Sequence, residues 1–301
     1  MIEQRYADLF VSGAQVGIEI AEREIVLTYV LKILEEAGLL KTLAFKGGTC
    51  LRKCVYGKET RFSVDLDFTD VSGRQPDDVI LAAMSAFGKP SYGITFDVAT
   101  KDFYVSEDQL SCGANIKYRH AWKDGVFKLD ISVRETPSLS LDLLPLKTQS
   151  YFKYLEFEPF VVPSLQFEEL LAEKIRACTQ RARSRDIYDL VKAAGKPLNT
   201  PLVRALVAIK CWNVKHHFDP GQYFQRLRSG KFDCDDLRQF VRKSERIDPK
   251  KMIETCESRY RFLQELSLSE KRLVDDAKRH HLSGLPQTLL KEVCPPSGRG
   301  R

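Results

Sequence analysis

"FKGGTCLRKCVYGKETRFSVDLDF", residues 45–68, holds two adjacent glycines, two hydroxyl residues, two arginines and two aspartates one residue apart. The apolar run "LAFK" (43–46) leads into Gly47-Gly48-Thr49, and "CLRKCVYG" (50–57) predicts a helix stopped by Gly57. In "RFSVDLDF" (61–68) Arg61, Ser63, Asp65 and Asp67 alternate with Phe62, Val64, Leu66 and Phe68, the pattern of a strand with one apolar and one acidic face. Carboxylates at i and i+2 on a strand bring their oxygens to one side. Oxygen ligands of this kind suit Mg²⁺, with Mn²⁺ also admitted, and Mg²⁺ so held commonly shares its shell with substrate phosphates. The glycine turn supplies the complementary part, because a backbone without Cβ atoms lets N–H groups approach a triphosphate where a helix begins. Thr49 and Ser63 add hydroxyls and Arg61 adds a planar donor suited to phosphate oxygens. The stretch predicts a metal-dependent nucleotide site, with Asp65 and Asp67 on the metal and Gly47, Gly48, Thr49, Arg61 and Ser63 on the nucleotide.

Upstream, "EIAEREIVLTYVLKILEEAGLL" (19–40) has apolar residues at mixed three and four spacing and predicts a helix ending at Gly38. Downstream, strands are expected at "YGITFDVA" (92–99), "GANIKYRHAW" (113–122) and "GVFKLDISVR" (125–134), the last two joined by a hairpin around Lys123-Asp124-Gly125. The third of these puts Lys128, Asp130 and Ser132 on the face opposite Phe127, Leu129 and Ile131, so a second strand presents a carboxylate. Beyond Pro159 and Pro163 the pattern becomes helical: "SLQFEELLAEKIRACTQ" (164–180) capped by Ser164, "RDIYDLVKAAG" (185–195), and "DPKKMIETCESRYRFLQEL" (248–266) opened by Asp248-Pro249. The end, "CPPSGRGR", offers nothing apolar to pack and reads as a mobile tail.

With 301 residues the chain can bury one large core or two modest ones. No apolar run is long enough to span a bilayer, and "MIEQRYADLF" carries charges where a secretory signal needs an apolar stretch, so a cytoplasmic protein is expected. The eight cysteines include no C-x-x-C pair and read as reduced thiols. Net charge is +6, unevenly divided: residues 1–150 hold 18 Lys and Arg against 21 Asp and Glu, whereas residues 151–301 hold 29 against 20, an excess of nine. A basic second half suits a nucleic-acid partner, and equally a solvated helical surface with no partner.

Together "FKGGTCLRKCVYG", "RFSVDLDF", "KLDIS" (128–132), "FEELLAEKIRA" (167–177) and "RDIYDL" (185–190) resemble the AbiEii-type nucleotidyltransferase toxins, which include the MenT toxins, of type IV toxin–antitoxin systems. The resemblance implies an α+β fold: a DNA polymerase β-like nucleotidyltransferase core with N-terminal helices over residues 1–160, a mainly helical C-terminal lobe over 161–292, and the tail over 293–301. It implies transfer of a nucleotide from an NTP to an RNA acceptor, the tRNA 3′ end in the MenT branch, which blocks translation, and a neighbouring antitoxin. Asp65, Asp67 and Asp130 become the catalytic, metal-binding carboxylates. Lys174 gains a role at the triphosphate, the residue-level alternative being a lysine that snorkels from the apolar face of its helix. Asp189 becomes an orienting carboxylate, with Asp186 on the same side of its helix. Arg181, Arg183 and Arg185 either hold RNA phosphates or form a solvated basic loop. The chain departs from most polymerase β-like enzymes in its long Thr49–Asp65 gap and in Thr49 replacing a serine, which leaves open whether Thr49 or Ser63 meets the triphosphate. Two other readings of the residues stand beside this one: transfer to a protein or small molecule, and an NTP (GTP)-binding regulatory module without transfer.

Overall fold

The structure is a computed structural model that describes residues 2–97, 99–181, 183–230 and 232–294. Two units divide the chain: Met1–Gln166 with Arg238–Arg246, and Phe167–Leu237 with Ile247–Arg301. The expected tail lies outside the described residues from 295 onward.

The first unit opens with helices α1 (Gln4–Ala14) and α2 (Ile18–Glu36), and Gly38 leaves α2 at φ +75, a conformation that favours glycine. Next come β1 (Leu43–Lys46), the single turn α3 (Gly47–Cys50), β2 (Asp65–Asp70), α4 (Pro76–Phe87), β3 (Thr95–Asp97), β4 (Phe103–Val105), β5 (Ser111–His120), β6 (Lys123–Ser132), β7 (Asp142–Pro145) and β8 (Val161–Ser164). They form one eight-stranded sheet ordered β3-β5-β6-β2-β1-β8-β7, with β4 also on β5; the β2–β6 and β1–β8 pairs are parallel and the others antiparallel. The buried face is built from Leu66, Phe68, Cys112, Ala114, Ile116, Leu129 and Ile131, and Val79 and Phe87 of α4 are buried as well. The opposite face carries Asp65, Asp67 and Asp130.

The segment read as a helix over 50–57 is α3 continued by a π-helical stretch, Leu51–Tyr56, closed by Gly57 at φ +59. Its polar residues explain the distortion. Arg52 and Lys53 are buried and both meet Glu24 of α2, at 3.5 and 3.4 Å; Lys53 also donates to the Thr28 hydroxyl at 2.8 Å and Arg52 to the Gly57 carbonyl at 2.7 Å. Burial pushes the Glu24 carboxyl up, but Lys53 and Arg52 outweigh it and hold the group below its ordinary value. One buried anion thus serves two buried cations and ties the turn that follows the glycines to α2. Removing such a partner leaves uncompensated charge in the core. Glu24→Leu is therefore expected to lower unfolding stability by about 3–5 kcal/mol, read as a fall in urea midpoint at unchanged m-value.

Three local readings are corrected. The strand begins at Asp65, not Arg61, because the Phe62 amide donates to the Phe240 carbonyl at 2.6 Å instead of to a neighbouring strand. The β5–β6 turn is Ala121-Trp122; Asp124 and Gly125 lie inside β6, where the Tyr118 ring crosses Gly125 so closely that a Cβ would sit 2.6 Å from its Cζ. Ser164 belongs to β8, and the next helix begins at Phe167.

The second unit is helical: α5 (Phe167–Gln180), α6 (Ser184–Ala194), α7 (Thr200–Asn213), α8 (Pro220–Ser229), α9 (Cys234–Arg238), α10 (Pro249–Arg259), α11 (Leu268–Asp276) and α12 (Leu285–Val293). Asn199, Asp219 and Asp248 each cap a helix that opens with proline, and Ser267 with Glu270 forms a capping box on α11. Helix α7 is buried along most of its length, Lys210 included, whose ammonium meets Glu169 at 2.6 Å.

Candidate active site

In the first unit, parallel pairing sets Asp67 beside Asp130 and Asp65 beside Lys128, and antiparallel pairing sets Lys46 beside Asp67. Strand alternation therefore delivers three carboxylates and two lysines to one sheet face. The glycine turn abuts them. Gly47, at φ +76, lies so close to Asp67 that a Cβ would sit 2.8 Å from its Cγ and nearer still to a carboxylate oxygen. A Cβ on Gly48 would meet Arg61 Nη2 at 2.5 Å and Ser63 Oγ at 3.1 Å. Five of the residues read from the opening stretch, Gly47, Gly48, Arg61, Ser63 and Asp67, thus converge, and Asp65 lies one strand step away. Thr49 differs. It is fully buried and its hydroxyl donates to the Asp65 carbonyl, which anchors the turn to β2 and leaves Ser63 as the hydroxyl beside Gly48.

Sequence reading missed Tyr104 and Gly113. Across the sheet Asp130 pairs with Gly113, and Gly113 with Tyr104. The Tyr104 ring passes over Gly113, where a Cβ would lie 2.9 Å from its Cζ, and its hydroxyl donates to Asp130 Oδ1. Lys128 Nζ lies 2.7 Å from Asp130 Oδ2 and 5.4 Å from the Tyr104 ring centroid. The one signal available was an isolated glycine inside an alternating strand, which marks a close approach without naming its partner.

These contacts hold the third carboxylate in the apo protein. Among the described residues no group of three or more His, Cys, Asp or Glu side chains is arranged as a metal site. Asp65, Asp67 and Asp130 nevertheless fit a hard divalent cation by donor type and shared face, and the Gly47 backbone packs against Asp67 where a side chain would intrude. Burial first, then the charges of Asp67 and Asp65, push the Asp130 carboxyl up to about 7, against the pull of Lys46. Between the ordinary Asp value of 3.8 and about 7 the folded protein retains a proton that the unfolded chain has released, so stability falls as pH rises through that window. Asp130→Asn keeps the Tyr104 hydrogen bond and removes the charge. In metal-free buffer its Tm is expected to exceed the parent's at pH 8, with the gap closing by pH 4; a gap independent of pH would contradict the assignment.

The remaining candidates lie in the second unit. Lys174 of α5 is not snorkelled to solvent: its ammonium is held between Asp186 Oδ1 at 3.0 Å and Asp189 Oδ2 at 2.8 Å, both carboxylates being buried on α6. Arg181 Nε meets Asp186 Oδ2 at 2.8 Å, and Arg185 meets Asp236 at 3.0 Å, while Arg183 is exposed. Burial raises the Asp186 carboxyl, but Lys174 and Arg181 win and hold it well below the usual carboxylate range. Lys174→Met would leave two buried carboxylates short of a cation. A loss of about 3–5 kcal/mol in unfolding free energy is expected, partly restored in Lys174→Met/Asp189→Asn.

The AbiEii nucleotidyltransferase toxin family model, of type IV toxin–antitoxin systems, matches residues 29–279. The chain belongs to this family. It is accordingly a nucleotidyltransferase toxin, and membership implies an antitoxin partner. Among solved structures it is similar to MenT4, a nucleotidyltransferase toxin from Mycobacterium tuberculosis H37Rv, at 24% identity and TM-score 0.81 over 96% of this chain and 98% of that one. It is also similar to JHP933 from Helicobacter pylori, at 18% identity and TM-score 0.50 over 86% and 99%. At these identities the likeness shows a shared fold. No curated protein matches the sequence. No helix among the described residues is long and apolar enough to cross a membrane.

Proposed function

We propose that this toxin transfers a nucleotide from an NTP to an RNA acceptor, the 3′ end of tRNA, and thereby blocks translation. The observation that carries the reading is the juxtaposition of Asp67 with Asp130 across β2 and β6, beside a glycine turn packed on the Asp67 carboxylate. Nucleotide binding alone does not call for three carboxylates on one sheet face; polymerising an alcohol onto a phosphate does.

Asp65, Asp67 and Asp130 would hold Mg²⁺, which when bound neutralises charge on the phosphates and favours departure of pyrophosphate. The chain's own residues do the rest. The Gly47-Gly48 backbone with Arg61 and Ser63 seats the triphosphate and fixes its orientation, so that the acceptor 3′ hydroxyl meets the α-phosphorus in line. Asp130, titrating near neutrality, accepts the proton of that hydroxyl, and Tyr104 holds it in place through the hydroxyl contact with Oδ1. Rate then comes from alignment and from charge compensation rather than from a covalent enzyme intermediate.

Purified protein incubated with total RNA, Mg²⁺ and each labelled NTP in turn is expected to label a tRNA-sized band with one or more NTPs and to lose the label in EDTA. Asp65→Asn should reduce transfer by about 10²–10³-fold or more while keeping the parent's Tm and circular dichroism. Label entering protein instead of RNA, or a folded Asp65→Asn variant with near-parental transfer, would refute the reading.

A further inference from the structure

The face that carries the carboxylates does not end at them. In β6, Asp130, Lys128, Val126 and Asp124 alternate onto one side, and their β5 partners are Gly113, Asn115, Lys117 and Arg119. The edge strand β3 adds Asp97 opposite Lys117 and Thr95 opposite Arg119. At this end of the face lies a cavity of about 560 Å³, lined by Thr95, Asp97, Lys117, Arg119, Asp124 and Val126 among others. Its size falls within the roughly 300–1,000 Å³ typical of small-molecule sites.

The lining has a particular chemistry. Lys117 and Arg119 are exposed; Lys117 meets Asp102 only at 3.7 Å, and Arg119 forms no ion pair among the described residues. Asp97 and Asp124 balance the two cations, so the cavity has no excess charge of its own, and Val126 gives it an exposed apolar floor. A flat ring with donors and acceptors at its edges and an anion attached suits such a mixture. A nucleobase with its phosphate has that form, because a guanidinium can both stack on a base and meet a phosphate. Position supports the same occupant. Lys117 and Arg119 lie level with residues four and six before Asp130 on β6, hence about 13–20 Å along the face from the third carboxylate.

We propose that this cavity is an acceptor subsite, holding a base within about six nucleotides of the 3′ end at roughly 3.4 Å of stacked rise each, while the terminal hydroxyl lies at Asp130. The proposal rests on the RNA-acceptor reading above. It places an RNA contact in the first unit, on exposed side chains. Arg181 and Arg185 of the basic half are each engaged by an aspartate.

RNA oligonucleotides sharing one 3′ sequence, from two to twelve nucleotides long, test it with the full chain and with Lys117→Ala/Arg119→Ala. For the parent, kcat/KM should climb with acceptor length and level off near six nucleotides. The double variant should lose most of that climb, with acceptor KM raised about tenfold or more, the KM for NTP and the Tm unchanged, and the salt slope of RNA binding reduced by about 1.4. Lys117→Arg should retain most of the length dependence. Equal acceptor KM and equal salt slope in parent and double variant would overturn the subsite while leaving the RNA reading intact. A parent that labels a protein, or no RNA of any length, would overturn both, and the total-RNA assay separates that failure from the first.

Discussion

Parallel pairing of β2 with β6 is the constraint on which the site depends. Leu66 and Phe68 on one strand and Leu129 and Ile131 on the other drive their shared face into the core, and strand alternation leaves Asp65, Asp67 and Asp130 no alternative but the opposite face. A slip of one residue would bury carboxylates and expose phenylalanine. The hydrophobic pattern that folds the sheet therefore also fixes which carboxylates meet, and the chemistry inherits its geometry from packing.

Buried charge then locks the parts that packing leaves loose. Glu24 with Arg52 and Lys53 holds the turn after the glycines to α2, and the Thr49 hydroxyl fastens the same turn to the start of β2. Tyr104 and Lys128 hold Asp130 in the absence of ligand. In the second unit Lys174 with Asp186 and Asp189 couples α5 to α6 in the same manner. Each cluster is costly to break because removal of one partner strands a charge in a low-dielectric setting.

Legibility in the sequence followed the range of the interactions. The strand of residues 65–68, the glycine turn, the capped helices and the family were readable because they rest on periodicity and on short motifs. The start of β2, the hairpin turn and the place of Ser164 were misread, since each is decided by a distant partner: Phe240 for Phe62, Tyr118 for Gly125, β1 and β7 for Ser164. Strands β4, β7 and β8 are three or four residues long and carry no alternation of their own. Residues 238–246, which return to the first unit through Phe240, Arg242 and Lys243, announce nothing locally. Tyr104 was invisible for the same reason, because its role exists only where β4 lies against Gly113.

The central claim is that the sheet-face carboxylates jointly seat a divalent cation with the nucleotide. Titration of Mn²⁺ into the metal-free protein, followed by electron paramagnetic resonance with a non-hydrolysable NTP present, addresses it without reference to turnover. Saturable binding by the parent that is lost in a folded Asp67→Asn variant is the predicted result. Equal Mn²⁺ binding by parent and variant, or none by the parent with the nucleotide bound, would contradict it.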